Sequence, residues 1–220
     1  MPYGRSSREE KHRSTTILMV RHNGTVAVAG DGQVTIGQCA LKHTARKIRR
    51  LYQNKIICGF AGSTSDALTI LERFEDHLSQ YSGNFTRAAV ELTKKWRTDR
   101  GLRHLEAVLI AADKEKSLFI SGSGDVVEPD DNLLATGSGG FYAIAAARAL
   151  VRHAPHLDAV TICRESLKIA SEICVYTNGS VEVETLESAP PDAPAPDAPA
   201  EPVAPSAKGS KASRPSRKDG

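Results

Sequence analysis

The chain has 220 residues, with 29 Lys+Arg, 26 Asp+Glu and a formal net charge of +3. Divided after residues 14 and 187, it carries net +2 in the first 14 residues, +1 in the last 33, and zero between them. A charge-neutral middle lacks the clustered Lys/Arg excess of a nucleic-acid footprint, and the length sets an expectation of one domain.

Residues 1–14 are polar and hold no apolar stretch. They are neither a secretory signal nor a membrane span, so no membrane and a cytoplasmic location are expected. From Thr15 the pattern is β. Thr15–Arg21 and Thr25–Gly30 flank Asn23-Gly24, a strong hairpin signal. Asp31-Gly32 leads into Gln33–Gly37. Lys47–Tyr52 and Lys55–Phe60 read as a further strand pair. Two amphipathic helices are expected over Ser63–Tyr81 and Asn84–Asp99. The first has an apolar stripe at Leu68, Leu71, Phe74 and Leu78. The second has one at Phe85, Ala88, Ala89, Leu92 and Trp96.

Strands return at Glu106–Asp113, Ser117–Ser121 and Leu133–Thr136. Helices follow at Gly140–His153 and at Asp158–Ile173, the latter with Ile162, Leu167, Ala170 and Ile173 inward. A last hairpin is expected from Cys174–Thr177 and Val181–Leu186 around Asn178-Gly179. After Ser188 come eight of the chain's 11 prolines. That tract cannot bury enough apolar surface to offset its entropy, so a disordered tail with a basic tip at Lys208–Lys218 is expected. Strands and helices are grouped rather than alternating, which favours α+β with antiparallel sheets between helix layers.

Four cysteines (39, 58, 163 and 174) have no CxxC spacing and are expected to be buried thiols. The histidines show no HExxH pattern, so a catalytic zinc site has no support. There is no P-loop, GxGxxG or GxSxG. What remains is a strand opening on Thr15-Thr16 after a polar leader, then Asp31, the basic run Arg46–Arg50 and Gly59–Gly62. Together these are the parts of an N-terminal threonine nucleophile. Cleavage after Ser14 would give Thr15 a free α-amine, titrating at about 7.7–8.0 before perturbation. A nearby Lys lowers that value by like-charge repulsion. The neutral amine then takes the Thr15 hydroxyl proton, so nucleophile and base are one residue.

Thr15–Thr35, the ARK-RRLY block, GFAG-TSDA, KKWRTDR, GDVVEP, GSGGFYA-AAARAL and IASEICVYTN together resemble the HslV family of proteasome-like peptidases, from Thr15 to about Leu186. The resemblance implies a four-layer αββα Ntn-hydrolase fold. It implies Thr15 as nucleophile, with Asp31 and Lys47 beside it. It places Gly59 as the oxyanion-facing glycine and Ser138 near the terminal amine. It also implies a sodium ion on the backbone carbonyls of Ser171, Cys174 and Thr177, the first of which is often Gly in the family. Further implications are a dodecamer of two stacked hexameric rings, an HslU-type AAA+ ATPase partner that uses the ATP, and unfolded proteins as substrates.

Two features depart from the family pattern. Loss of one methionine would not expose Thr15 behind a 14-residue leader, so either the ring processes itself or translation starts elsewhere. The tail 188–220 is also extra. The organisation expected is therefore a leader (1–14), a peptidase domain (15–187) and a tail. The rival readings are a 20S proteasome β-type subunit and a catalytically inactive ring scaffold. Taken singly, the residues have plainer roles. Thr15 could be an ordinary strand residue, Gly59 a close-packing position and Ser138 a helix cap.

Overall fold

The structure is a computed structural model that describes residues 15–187. The expectations for the leader and tail lie outside those residues. Asn23 and Gly24 take left-handed φ of 47° and 73°, the twist a two-residue hairpin requires. They join β1 (Thr16–His22) to β2 (Thr25–Asp31), paired from Ile17–Gly30 to His22–Thr25. Then follow β3 (Val34–Ile36), β4 (Cys39–Lys42), β5 (Ile48–Leu51), β6 (Ile56–Gly62), α1 (Thr64–Gln80) and α2 (Phe85–Thr98). The rest is β7 (Ala107–Ala112), β8 (Ser117–Ser121), β9 (Val126–Val127), β10 (Leu133–Gly137), α3 (Gly140–His153), α4 (Ala159–Ile173) and β11 (Val181–Glu187).

Two antiparallel sheets result, in the orders β10-β1-β2-β11 and β5-β6-β7-β8-β9, with β3-β4 as a separate pair. Strand alternation explains the continuous apolar runs. Ile17, Met19 and Val28 meet Ile57 and Ile110 between the sheets. Leu18 and Ala29 point the other way, onto Ile162 and Leu167 of α4. On the far side, Phe74 of α1 and Leu92 and Trp96 of α2 cover Leu109 and Ile120. The layers are therefore α, β, β, α, as expected. Each such buried aliphatic contributes about 1.5–3 kcal/mol.

Several local expectations are corrected. Cys174–Thr177 is not a strand. The Cys174 N–H still serves α4 by donating to the Ala170 carbonyl, and the Thr177 N–H turns back onto the Cys174 carbonyl. β11 pairs with β2 instead, Val183 opposite Ala29. Leu68 is 40% exposed, because the buried α1 stripe runs through Ala67, Ile70, Leu71, Phe74 and Leu78, and Ile173, the last residue of α4, is 55% exposed. Cys39 is exposed, while Cys58, Cys163 and Cys174 are buried as free thiols. β4 and β9 were unexpected. Among the described residues no helix is long and apolar enough to cross a membrane.

Candidate active site

Thr15 immediately precedes β1, and its carbonyl accepts the Ser138 N–H at 2.8 Å. The β1–β10 register sets Thr16 opposite Gly137, so the turn after β10 closes over the start of β1. Asp31 is the last residue of β2 rather than a turn former, and it is 1% exposed. Its Oδ1 accepts the Thr16 N–H at 2.7 Å and Lys47 Nζ at 2.8 Å. Its Oδ2 accepts the Gln33 N–H at 3.0 Å and the Asn178 N–H at 3.4 Å. Both carboxylate oxygens thus have donors.

Lys47 sits just before β5 and is 4% exposed, while its neighbour Arg46 is turned to solvent. One member of the basic run is therefore inward. Lys47 Nζ also donates to the Gln33 carbonyl at 2.5 Å. Burial pulls the Lys47 pKa below its ordinary value, and the Asp31 charge and hydrogen bond oppose that pull. Burial pushes the Cys58 and Cys163 thiols up, so neither competes as a nucleophile.

Thr15 and Lys47 open onto a cleft of about 870 Å³, walled by Val34, Ile36, Phe60 and Gly62 and edged by Lys42 and Arg49. Gly59 is not on that wall. A Cβ there would lie 2.6 Å from Ile17 Cγ2, between the sheets. The Phe60 N–H donates to the Lys47 carbonyl, toward β5. Alternation along the strand then turns the Gly59 N–H toward β7, where Gly59 pairs with Ile110. The close-packing role fits Gly59.

Gly62 shares the orientation of Phe60. The next N–H, that of Ser63, donates to the Glu106 carbonyl on the opposite side, which leaves Gly62 facing the β5 side beyond the end of that strand. Its φ of +111° suits only glycine. The GFAG run was the available signal, and the strand's two-residue period decides between its two glycines.

Ser138 does not cap α3. The N-cap is Gly139, with no side-chain cap bond, and Ser138 itself is exposed. Asn178 was read only as a turn former. Its Oδ1 accepts the Gly32 N–H at 3.1 Å and its Nδ2 donates to the His43 carbonyl at 3.0 Å. It thus ties the loop after β2 to the loop that leads to Lys47.

Ser171 is in the last turn of α4, Cys174 caps it and Thr177 follows in the loop. Carbonyls at a helix C-terminus carry partial negative charge and lack intrahelical donors, and this last turn holds no basic side chain. The Ser171 hydroxyl bonds back to the Lys168 carbonyl at 2.7 Å, so serine fits the helix there. Among the described residues no cluster of three His, Cys, Asp or Glu side chains could hold a metal. The Ser171 carbonyl is of the kind a monovalent cation binds, while the Cys174 carbonyl also accepts the Thr177 N–H.

A four-layer αββα sandwich with a threonine heading a central strand above a buried Asp–Lys pair has the architecture of an N-terminal-nucleophile hydrolase. A family model described as Proteasome subunit matches residues 11–186. The chain belongs to the proteasome subunit family. It is 59% identical over 174 residues to the ATP-dependent protease subunit HslV of Staphylococcus aureus (strain JH9), covering 79% of this chain and 96% of that protein. The crystal structure of eukaryotic HslV from Trypanosoma brucei superposes with a TM-score of 0.74 at 46% identity, over 78% of this chain and 99% of that one. Thiobacillus denitrificans BPH, at 21% identity and a TM-score of 0.62 over 80% of this chain and 100% of its own, shares the fold.

Proposed function

We propose that the chain is the peptidase subunit of an HslUV-type ATP-dependent protease, with Thr15 as its nucleophile. The observation that carries this reading is the Asp31 carboxylate. One oxygen holds both the Lys47 ammonium and the backbone of the residue next to Thr15. In the uncut chain the Thr15 nitrogen is an amide and cannot act as a base. After cleavage between Ser14 and Thr15, the positive charge of Lys47 favours the neutral amine.

That amine accepts the Thr15 Oγ proton as Oγ attacks the scissile carbonyl. The oxyanion takes the Gly62 N–H, the donor that faces the cleft. Collapse breaks the C–N bond, and the Thr15 ammonium returns its proton to the leaving amine. Water, deprotonated by the same amine, then hydrolyses the Thr15 ester. Asp31 keeps Lys47 in place throughout.

The remaining assignments follow from this reading. A sodium ion would sit on the carbonyls of Ser171, Cys174 and Thr177, where it would fix the loop that carries Asn178. Two stacked hexameric rings would enclose the sites in the cytoplasm. An HslU-type ATPase would deliver unfolded proteins, since no nucleotide motif occurs in this chain. N-terminal sequencing of the purified particle tests the central claim. Chains beginning at Thr15, active on a fluorogenic peptide and inactive as Thr15→Ala, are expected. Active chains that still begin at Met1 would refute it, and a seven-fold ring in electron micrographs would favour a 20S-type subunit instead.

A further inference from the structure

Alternation along β1 sends the Thr16 side chain to the helix side of the sheet, with Leu18 and away from the cleft. It is fully buried there. Its Oγ1 accepts the Gly139 N–H at 3.0 Å and lies 2.7 Å from Thr177 Oγ1, in a hydroxyl pair in which either oxygen can donate. Gly139 is shaped for this arrangement. A Cβ on it would fall 2.6 Å from Thr16 Oγ1 and 2.5 Å from Thr177 Oγ1. One side chain thus joins three segments that are far apart in sequence: the start of β1, the turn before α3 and the loop after α4.

The same peptide unit is held on its other polar atoms. The Thr16 N–H is on Asp31 Oδ1 and the Thr15 carbonyl is on the Ser138 N–H. If the hydroxyl is removed, its bonds to Gly139 and Thr177 on the helix side are lost. The buried Gly139 N–H then loses the acceptor it has in Thr16 Oγ1.

We propose that Thr16 is a positioning residue for catalysis, whose hydroxyl fixes the direction in which Thr15 presents its Oγ and amine. The proposal rests on the reading of Thr15 as nucleophile. Thr16 touches neither the substrate nor the reacting atoms. It acts through the backbone it shares with Thr15, where a small misplacement is costly: errors of about 1 Å cost on the order of 100-fold in rate.

The test compares wild type, Thr16→Val, Thr16→Ser and Thr177→Val as assembled particles. Rates on a fluorogenic peptide are normalised to the fraction of chains that begin at Thr15, read by mass spectrometry. Valine keeps the shape and strand preference and deletes only the hydroxyl. Thr16→Val is expected to lose about 10- to 100-fold in kcat with KM within about twofold of wild type. Thr16→Ser should recover most of that rate. Thr177→Val should lose less than Thr16→Val, because the Gly139 bond survives, and the double variant should be no worse than Thr16→Val alone.

Should Thr16→Val fail to assemble, Thr16→Ala, which also deletes the hydroxyl, takes its place in every comparison. Thr16→Val at the wild-type kcat, a loss confined to KM, or Thr16→Ser no better than Thr16→Val would each overturn the inference. So would Thr177→Val at a tenth of the wild-type kcat or less. A wild-type particle that begins at Thr15 and cleaves nothing would instead overturn the proposed function.

Discussion

A Cβ placed on Gly137 would sit 1.8 Å from the carbonyl oxygen of Thr15. Gly137 also has a φ of +87°, so two independent constraints exclude a side chain there. Thr15, immediately before β1, can lie under the β10–α3 turn only because position 137 is bare. Gly137→Ala is expected to push the Thr15 carbonyl off the Ser138 N–H. The expected result is an assembled particle with about 100-fold lower kcat and about 1–3 kcal/mol less stability, read by peptide hydrolysis and thermal melting. Hydrolysis within a few-fold of wild type would mean that the turn does not position Thr15.

The two glycines of the GFAG run separate by measurement as well. At Gly62 a Cβ would meet the Glu106 carbonyl oxygen at 2.3 Å, at a positive φ. Gly62→Ala therefore reorients the backbone that carries the proposed oxyanion donor, which is worth about 100- to 1000-fold in kcat. At Gly59 the obstacles are the buried side-chain methyls of Ile17 and Val28 rather than backbone. Gly59→Ala should overpack the layer between the sheets, cost about 1–3 kcal/mol of stability and leave a smaller deficit per folded site. Equal kcat losses in the two variants would contradict this division.

How much of this was readable beforehand depends on the length scale of each signal. The runs that build the sheets were visible because a strand buried on both faces is apolar throughout, as in Ile17–Val20 and Leu109–Ala112. Thr15, Asp31 and Lys47 could be picked out because many motifs occur in order around them. The direction of one N–H could not. Gly59 and Gly62 differ by strand parity, which becomes fixed only when Phe60 pairs with Lys47. Asn178-Gly179 carried a true turn signal, yet the residues before it stay bonded to the end of α4, so no hairpin forms. Asn178 and Thr16 act through partners more than 100 residues away in sequence, and no local pattern encodes that. The two-residue strand β9 is too short to leave a period.

The Asp31–Lys47 pair predicts a signed change with pH. Burial lowers the Lys47 pKa and Asp31 raises it in part. In Asp31→Asn the raising influence is gone and the burial remains, so Lys47 loses its proton at a lower pH than in wild type. Its charge is what favours the neutral Thr15 amine. The alkaline limb of the kcat/KM profile is therefore expected to move to lower pH, with the rate at the optimum reduced by about 100-fold or more. Profiles of the two proteins over the alkaline range check the sign. A limb that stays in place or moves to higher pH would show that Lys47 does not control the amine.

Arg21 offers a contrast, since it lies at the other end of β1, about 20 Å from Thr15 at the rise of an extended strand. Its Nη1 donates to the Lys114 carbonyl at 2.7 Å. Its Nη2 reaches the carbonyls of Asp113 and Lys116 at 2.8 and 2.7 Å and Ser117 Oγ at 3.0 Å. One guanidinium thus ties the four-stranded sheet to the β7–β8 turn of the other sheet. Its planar fork serves several acceptors at once, which the single ammonium of lysine cannot reproduce. Arg21→Met should cost about 2 kcal/mol, or roughly 4–8 °C in Tm for a domain of this size. Arg21→Lys should fall between it and wild type. Because the reacting atoms are far away, kcat below the melting range should stay within about twofold of wild type in both variants. A large fall in kcat with Tm unchanged would show that the sheet junction reaches the active site by a route other than stability.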